Sequence, residues 1–184
     1  MYKKYTRKQE IVIIGFILIL CLVSTYFIYN KFSDERKIDY NSENLEVIFN
    51  DQTGDSITLK KITPLSDSVG LSTKAHNFEL NNNLTEKVNV KIVIVSDEDA
   101  IEEDDCSERL IPLDNIKVML KKNNVEGEIY RLSELEDGII LEDELEPIAH
   151  NTYAIRLWVD KDTTLPAGSN FHYHGKIKII EEEI

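Results

Sequence analysis

The densest run of side chains that could do chemistry is the acidic stretch 97–105, which reads DEDAIEEDD. Carboxylate oxygens are the hard ligands that Ca²⁺ prefers, provided that a loop bends them around the ion. The stretch lacks the ligand order of an EF-hand and has no glycine for a sharp turn. Two interpretations stay open, a solvated loop between strands or a calcium site. The candidate calcium ligands are Asp97, Asp99, Glu102, Asp104 and Asp105.

Two histidines spaced by two residues, His172 and His174, are the second candidate. Side chains two apart in a strand point to the same face, so both imidazoles are predicted to share one side. That geometry can chelate a metal ion, and a metal-dependent hydrolase is the function it would carry. A third ligand would have to come from His76, His150 or a carboxylate on another strand. The alternative is that both histidines belong to a polar outer face where the last strand begins.

Motifs of the common catalytic classes are absent from the sequence. There is no G-x-S-x-G, no glycine-rich phosphate loop and no H-E-x-x-H. The two cysteines, Cys21 and Cys106, cannot form a C-x-x-C metal or redox motif. We therefore expect no catalytic residue, no cofactor and a protein that is not an enzyme.

Arg156 and Trp158 are predicted to lie on the face of one strand that points away from the core. On that face they could stack as a cation–π pair. An exposed Trp158 would be a contact residue for a partner. The favoured interpretation is that Trp158 covers the flank of the domain or packs beneath a neighbouring loop.

One segment, residues 11–30, predicts where the protein resides. It reads IVIIGFILILCLVSTYFIYN and contains no Asp, Glu, Lys or Arg. A helix of this length spans about 30 Å, the thickness of the hydrocarbon core of a bilayer. A cleavable signal peptide is the alternative, but the apolar run is too long for one and no A-x-A-like site follows. The segment therefore predicts an uncleaved transmembrane signal-anchor helix whose partner is the lipid bilayer.

The charges that flank this segment predict its orientation. Basic residues are slightly more numerous before the segment than after it, at Lys3, Lys4, Arg7 and Lys8 against Lys31, Arg36 and Lys37. By the positive-inside rule the N-terminus, residues 1–10, is cytoplasmic, residues 31–44 are a polar linker, and the remainder is extracellular. The net charge of −13 also argues against a nucleic-acid partner, which would require clustered basic residues.

Beyond residue 44, apolar and polar residues alternate with a period of two, which is typical of half-buried strands. The alternating apolar residues are Leu45, Val47, Phe49, Ile57, Leu59, Val88, Val90, Ile92, Ile94, Ile116, Val118, Leu120, Tyr153, Ile155, Leu157, Val159, Ile177 and Ile179. Turn residues separate these runs, among them Asp51–Gly54, Asn81–Asn83 and Lys122–Asn124.

This pattern indicates about seven to nine strands, with no helical run outside the membrane segment except one turn at Leu132–Asp137. The predicted fold class is all-β. The predicted domain, residues 45–181, is an antiparallel β-sandwich of jelly-roll or immunoglobulin-like type.

Four segments between Leu45 and Ile180, ITLKKITPLSDSVGL, HNFELNNNLTEKVNVKIVIVSDED, NTYAIRLWVDKDTT and FHYHGKIKI, carry a family resemblance. Their N-F-x-L-x-N-N, Y-x-I-R-L-W-V-D and G-K-I-K-I patterns are packing patterns. The chain resembles the TasA/camelysin-like, SipW-type β-sandwich proteins exported by low-GC Gram-positive bacteria, and their membrane-anchored relatives. The resemblance implies an extracellular domain of structural type, and some members of the family form fibres by passing a strand to a neighbour. The uncleaved anchor departs from that pattern, and no motif here matches the metalloprotease activity ascribed to camelysin.

The predicted function is that of a non-enzymatic, single-pass membrane protein that displays a β-sandwich for cell-surface structure, assembly or adhesion. Exposed strand edges would carry its self-association or its contact with another surface protein. The alternative is an anchored ligand- or calcium-binding module that uses the acidic loop 97–105.

Overall fold

The computed structural model describes Ser24 and residues 45–60, 62–103, 109–165 and 170–182. The chain divides into two units, Met1–Lys37 and Ile38–Ile184, and the strands and sheets described below belong to the second unit. The predicted membrane segment 11–30 (apart from Ser24), the flanking residues 1–10 and 31–44, and both cysteines lie outside the described residues. Within the described residues, no helix has the length and apolar character that crossing a membrane requires.

The described part of the chain forms nine strands in two sheets. The strands are β1 (Leu45–Phe49), β2 (Ser56–Leu59), β3 (His76–Asn82), β4 (Val88–Ser96), β5 (Ile116–Lys122), β6 (Val125–Arg131), β7 (Ile139–Leu145), β8 (His150–Val159) and β9 (Tyr173–Glu182). The five-stranded sheet has the order β1-β3-β8-β5-β6, and the four-stranded sheet has the order β2-β9-β4-β7. All of these neighbouring strands pair in antiparallel fashion. The prediction of an all-β, antiparallel, sandwich-like fold is confirmed at this level.

The inner faces of both sheets contribute to one hydrophobic core. Alternate residues of β1, β4, β5, β8 and β9 point into it, as the period of two predicts. Three aromatic rings form a column through this core. The ring of Phe78 lies 5.5 Å from that of Phe49 and 5.2 Å from that of Tyr153, centroid to centroid. Stacked and tilted aromatic pairs at these distances add to the free energy gained by burying their area.

Two short helices correct the prediction that helices are absent outside the membrane segment. Helix α1 spans Asp67–Gly70, and helix α2 spans Glu98–Glu103 within the acidic stretch. Helices of four and six residues are too short to show a helical period in the sequence. The single turn predicted at Leu132–Asp137 is present as two 3₁₀ helices, Leu132–Glu134 and Glu136–Gly138.

The predicted turns are mostly where the sequence places them. Asn123 and Asn124 join β5 to β6 with φ angles of 47° and 69°, the left-handed pair that a two-residue hairpin requires. The turn predicted at Asn81–Asn83 is wrong in part, because β3 continues through Asn82. Asn82 is fully buried and donates its side-chain amide to the carbonyl of Glu146 at 3.0 Å, so it closes backbone groups between strands.

Candidate functional site

Asp97, the first residue of the acidic stretch, has a structural role. It is 8% exposed and directly precedes α2, where its carboxylate accepts the N–H of Ala100 at 3.4 Å. The other carboxylate oxygen accepts the Ser56 hydroxyl at 3.3 Å. The N–H of Asp97 donates to the carbonyl of His174 at 3.1 Å. Asp97 therefore caps a helix and ties it to β2 and β9.

The remaining candidate calcium ligands are divided between a helix and an undescribed segment. Asp99 and Glu102 are exposed on α2. Asp104 and Asp105 lie outside the described residues. In the part of the chain that is described, no three His, Cys, Asp or Glu side chains lie together as a metal site. Because residues Glu98–Glu103 are helical, the interpretation of this stretch as a solvated loop is wrong for its first part. The calcium site stays a prediction.

His174 lies in β9 and His172 directly precedes that strand, and the two side chains share one side, as their spacing predicts. The ring centroids of His172 and His174 are 5.0 Å apart and their planes are 84° apart. Both residues are buried, at 7% and 3% exposure. His174 points away from the core residues Tyr173 and Ile177, which places the pair on the outer face of the four-stranded sheet.

Hydrogen bonds fix the backbone and the ring of His172. Its N–H donates to the carbonyl of Arg109, and its carbonyl accepts the N–H of Ile111, at 3.1 and 3.0 Å. Its Nδ1 lies 3.0 Å from the carbonyl of Asn170. Its Nε2 is buried and has no hydrogen-bond partner within the described residues. Neither His76 nor His150 joins the pair as a third ligand.

Trp158 is on the outer face of the five-stranded sheet, as predicted, but it is not exposed. Helix α1 covers it so closely that a Cβ on Gly70 would lie 2.3 Å from the indole. The indole N–H donates to the carboxylate of Asp67 at 3.3 Å. The neighbouring Arg156 donates through Nε to the carbonyl of Thr73 at 3.1 Å. Trp158 therefore packs beneath a neighbouring segment and offers no contact surface to a partner.

A network of charged side chains that no sequence pattern predicted lies beside Trp158. The carboxylate of Asp160 is 2% exposed, lies 3.4 Å from Nζ of Lys117 and also accepts a hydrogen bond from Arg131. Lys117 pairs with Asp67 of α1 at 2.8 Å. Burial raises the pKa of Asp160, but the N–H of Asp162 and the charges of Lys117 and Arg131 outweigh it, so the pKa lies below 3.8.

A cleft of about 390 Å³ opens between β2 of one sheet and β8 of the other. Its lining includes the apolar residues Ile57, Leu59, Ile62, Ile155, Leu157 and Val159 and the polar residues Thr58, Thr73, Lys74 and His76. A cleft of this size, with apolar walls and a few polar groups, has the general character of a binding site.

The backbones of two strands face this cleft with open hydrogen-bonding groups. The N–H of Ile177 donates to the carbonyl of Asp55, so Asp55 is a residue that bonds to β9. Bonded and non-bonded residues alternate along an antiparallel strand, so the N–H and C=O of Thr58, three residues later, point away from β9. In β8, pairing with β3 ends at Ile155. The next residue whose N–H and C=O point toward the β3 side is Leu157, and β3 does not extend far enough to bond to them. Among the described residues, no backbone hydrogen bond reaches the outward groups of Thr58 or Leu157. Sequence patterns did not reveal this feature, because it depends on which strands end beside one another.

His76 and Asp51 are polar residues in the lining of the cleft. Nε2 of His76 donates to the carbonyl of Gly54 at 2.8 Å, and Nδ1 lies 3.5 Å from the Asp51 carboxylate. Burial lowers the pKa of His76 below 6.5, although the Gly54 bond and the Asp51 charge oppose it. Burial raises the pKa of Asp51, but hydrogen bonds from Lys74 (2.9 Å) and from the N–H of Asn77 hold it below 3.8.

Comparisons with protein-family models, with the sequences of curated proteins and with solved structures found no match.

Proposed function

We propose that this protein is a non-enzymatic, single-pass membrane protein that displays its β-sandwich outside the cell for surface structure, assembly or adhesion. Residues 11–30 form the anchor, residues 1–10 stay in the cytoplasm, and residues 45–181 are the displayed domain. Its sandwich is of jelly-roll or immunoglobulin-like type, and its relatives are the TasA/camelysin-like proteins.

Two properties of the sequence support this location. The apolar segment 11–30 has the length of a bilayer-spanning helix and follows a short basic N-terminus. The strongly acidic remainder is repelled by anionic lipid headgroups, which keeps a displayed domain off the membrane surface.

The observation that carries the assembly proposal is the open backbone facing the cleft. An extended segment that entered the cleft could pair with the free edge of β2 at Thr58 and place apolar side chains near Ile57 and Leu157. Main-chain hydrogen bonds would supply affinity, and the cleft would select side chains of suitable size. The partner segment belongs to a second copy of the chain or to another surface protein.

Two longer strand edges, those of β6 and β7, are less suited to accept a strand. Strand β6 is interrupted by a bulge opposite Leu120 and exposes Glu126 and Glu128. Strand β7 carries the exposed Glu142 and Glu144, which pair with Lys91 of β4 and with Lys87 just before β4. Bulges and charges of this kind are the usual means by which a free edge avoids pairing with another chain.

The experiment is the substitution Thr58→Pro in the full-length protein. Proline removes the outward N–H of β2 and leaves its bonds to β9 intact. We expect at least a tenfold increase in the dissociation constant of self-association, about 1.4 kcal/mol, measured by sedimentation equilibrium in detergent. Thr58→Val is the matched control, because it keeps the N–H and the branched shape and should associate as the wild type does. A wild-type protein that stays monomeric at every concentration, or a proline variant that associates normally, contradicts assembly through this edge.

A further inference from the structure

We propose that His172 and His174 form a transition-metal site of the Zn²⁺ type on the outer face of the four-stranded sheet. The site adjoins the cleft, since His174 stands opposite Thr58 in β2, but neither histidine lines the cleft, and the proposal does not depend on assembly. Three observations lead to it: the tautomer of His172, the geometry of the two rings and the fixed backbone beneath them.

The tautomer of His172 leaves one nitrogen free to bind a metal. A carbonyl oxygen can only accept a hydrogen bond, so Nδ1, at 3.0 Å from the carbonyl of Asn170, carries the ring proton. In the neutral ring, Nε2 then presents a lone pair. That lone pair is buried with no hydrogen-bond partner in the described residues, which is costly unless something binds it. A ring N–H bonded to a backbone carbonyl is also the usual support of a metal-ligating histidine.

The distance between the rings fits a shared metal ion. With Zn–N bonds of about 2.0–2.1 Å and a tetrahedral angle at the metal, two imidazole centroids lie about 5 Å apart. The observed separation of His172 and His174 is 5.0 Å, with planes nearly perpendicular at 84°. A linear two-coordinate ion would hold the rings farther apart, so the separation favours a tetrahedral ion.

The donor set selects the class of ion. Neutral imidazole nitrogens suit Zn²⁺ and its neighbours in the first transition row, whereas Ca²⁺ and Mg²⁺ prefer oxygen ligands. Within the described residues no carboxylate completes a set of three ligands. Two further positions on the metal would be filled by groups other than the carboxylates of the described residues, such as water. The acidity of the chain, with a net charge of −13, favours a cation.

The backbone beneath the two rings is held from several sides. His174 stands opposite Thr58 in β2, and its carbonyl accepts the N–H of Asp97 from the end of β4. The backbone of His172 is bonded to Arg109 and Ile111. Ligands on rigid elements lose little conformational entropy when the metal binds, which increases affinity.

The test is a titration of the EDTA-treated full-length protein with Zn²⁺ alone, followed by calorimetry. We expect one Zn²⁺ per chain and at least a tenfold increase in the dissociation constant for His172→Gln and for His174→Gln. His150→Gln is the matched control, since His150 is exposed and bonds to Asn81, and it should bind Zn²⁺ as the wild type does. Absence of Zn²⁺ binding, or binding that both variants retain, overturns the proposal.

A second measurement needs no variant and so does not depend on whether the glutamine proteins fold. Nitrogen-15 NMR of the histidine rings in the wild-type protein reports which nitrogen binds the metal. Zn²⁺ should shift the Nε2 resonances of His172 and His174 and leave Nδ1 of His172 protonated. Shifts confined to His76 or His150 would overturn the assignment of the site.

Discussion

On the outer face of the five-stranded sheet, the buried carboxylate of Asp160 has two cationic partners, Lys117 and Arg131. On the outer face of the four-stranded sheet, the buried Nε2 of His172 has no hydrogen-bond partner within the described residues. Both groups are buried, but among the described residues only the first has its bonding capacity filled by side chains. A closed network of this kind holds elements in place, whereas an open valence can receive a ligand. The two faces therefore differ in role, the first structural and the second suited to binding.

The largest effect is expected when the closed network is broken by Asp160→Ala. The change leaves Lys117 and Arg131 next to one another without their shared carboxylate. Removing one partner of a buried ion pair is strongly destabilising, and since both cations are partly exposed we expect about 2–3 kcal/mol. Urea unfolding followed by circular dichroism measures this loss.

The control for this change is Asp162→Ala two residues along the chain. The Asp162 side chain is 75% exposed and pairs with the exposed Lys161. Its removal should change the free energy of unfolding by less than about 0.5 kcal/mol. Equal effects at the two positions would contradict the structural role of the Asp160 network.

A smaller effect is expected from pH, through the buried His76. Its pKa in the folded protein lies below the ordinary 6.5 because burial disfavours the charged ring. As pH falls below 6.5, His76 is protonated in the unfolded protein before it is protonated in the folded protein. The free energy of unfolding therefore declines between pH 6.5 and the lower pKa of His76 in the folded protein. His76→Gln keeps a donor for the carbonyl of Gly54 but cannot protonate. The free energy of unfolding should therefore depend less on pH below 6.5 in the variant than in the wild type.

A pH dependence that is the same in His76→Gln would assign the acid sensitivity to other groups. Asp51 and Asp160 are a separate case, because their pKa values lie below 3.8 in the folded state. The stability that their ionised carboxylates contribute is complete above pH 3.8, and it is lost as pH falls through their lower pKa values in the folded protein. The two ranges of pH distinguish the histidine from the carboxylates.

The smallest effect is expected from His172→Leu in metal-free protein. The substitution removes Nε2, which is buried and has no hydrogen-bond partner within the described residues, but it also removes the 3.0 Å hydrogen bond from Nδ1 to the carbonyl of Asn170. Removing the unsatisfied nitrogen is close to neutral and losing one hydrogen bond costs about 1 kcal/mol, so we expect a loss of about 1 kcal/mol. Unfolding in the presence of EDTA measures it. A loss as large as that of Asp160→Ala would mean that His172 is part of a closed structural network.

The alternation of apolar residues was enough to predict most of the strands and the face of the histidines. Strand β8 shows a strict alternation from Tyr153 to Val159, and the structure buries the predicted side. Strand β6 did not stand out, because Val125–Arg131 is exposed along most of its length and buries no continuous face. Strand β7 was not predicted either, because the acidic residues that follow Leu141 interrupt the alternation of apolar and polar residues.

The elements that cover the sheets could not be predicted from the same pattern. Helix α1 has four residues, and its position over Trp158 depends on Gly70, which alone leaves room for the indole. The backbone of His172 is hydrogen-bonded to Arg109 and Ile111, more than 60 residues earlier in the chain. Pairings at this distance in sequence leave no local trace, so the outer sites had to be located in three dimensions.

The central claim is that the β-sandwich is displayed outside the cell by an uncleaved anchor. The most direct measurement is labelling of intact cells with a membrane-impermeant maleimide, using Val125→Cys in a chain with both native cysteines changed to serine. Val125 is 71% exposed, so the domain should be labelled without lysis, whereas Lys3→Cys should be labelled only after lysis. Labelling of Val125→Cys only after lysis, or a mature protein that begins after residue 30, would contradict the account.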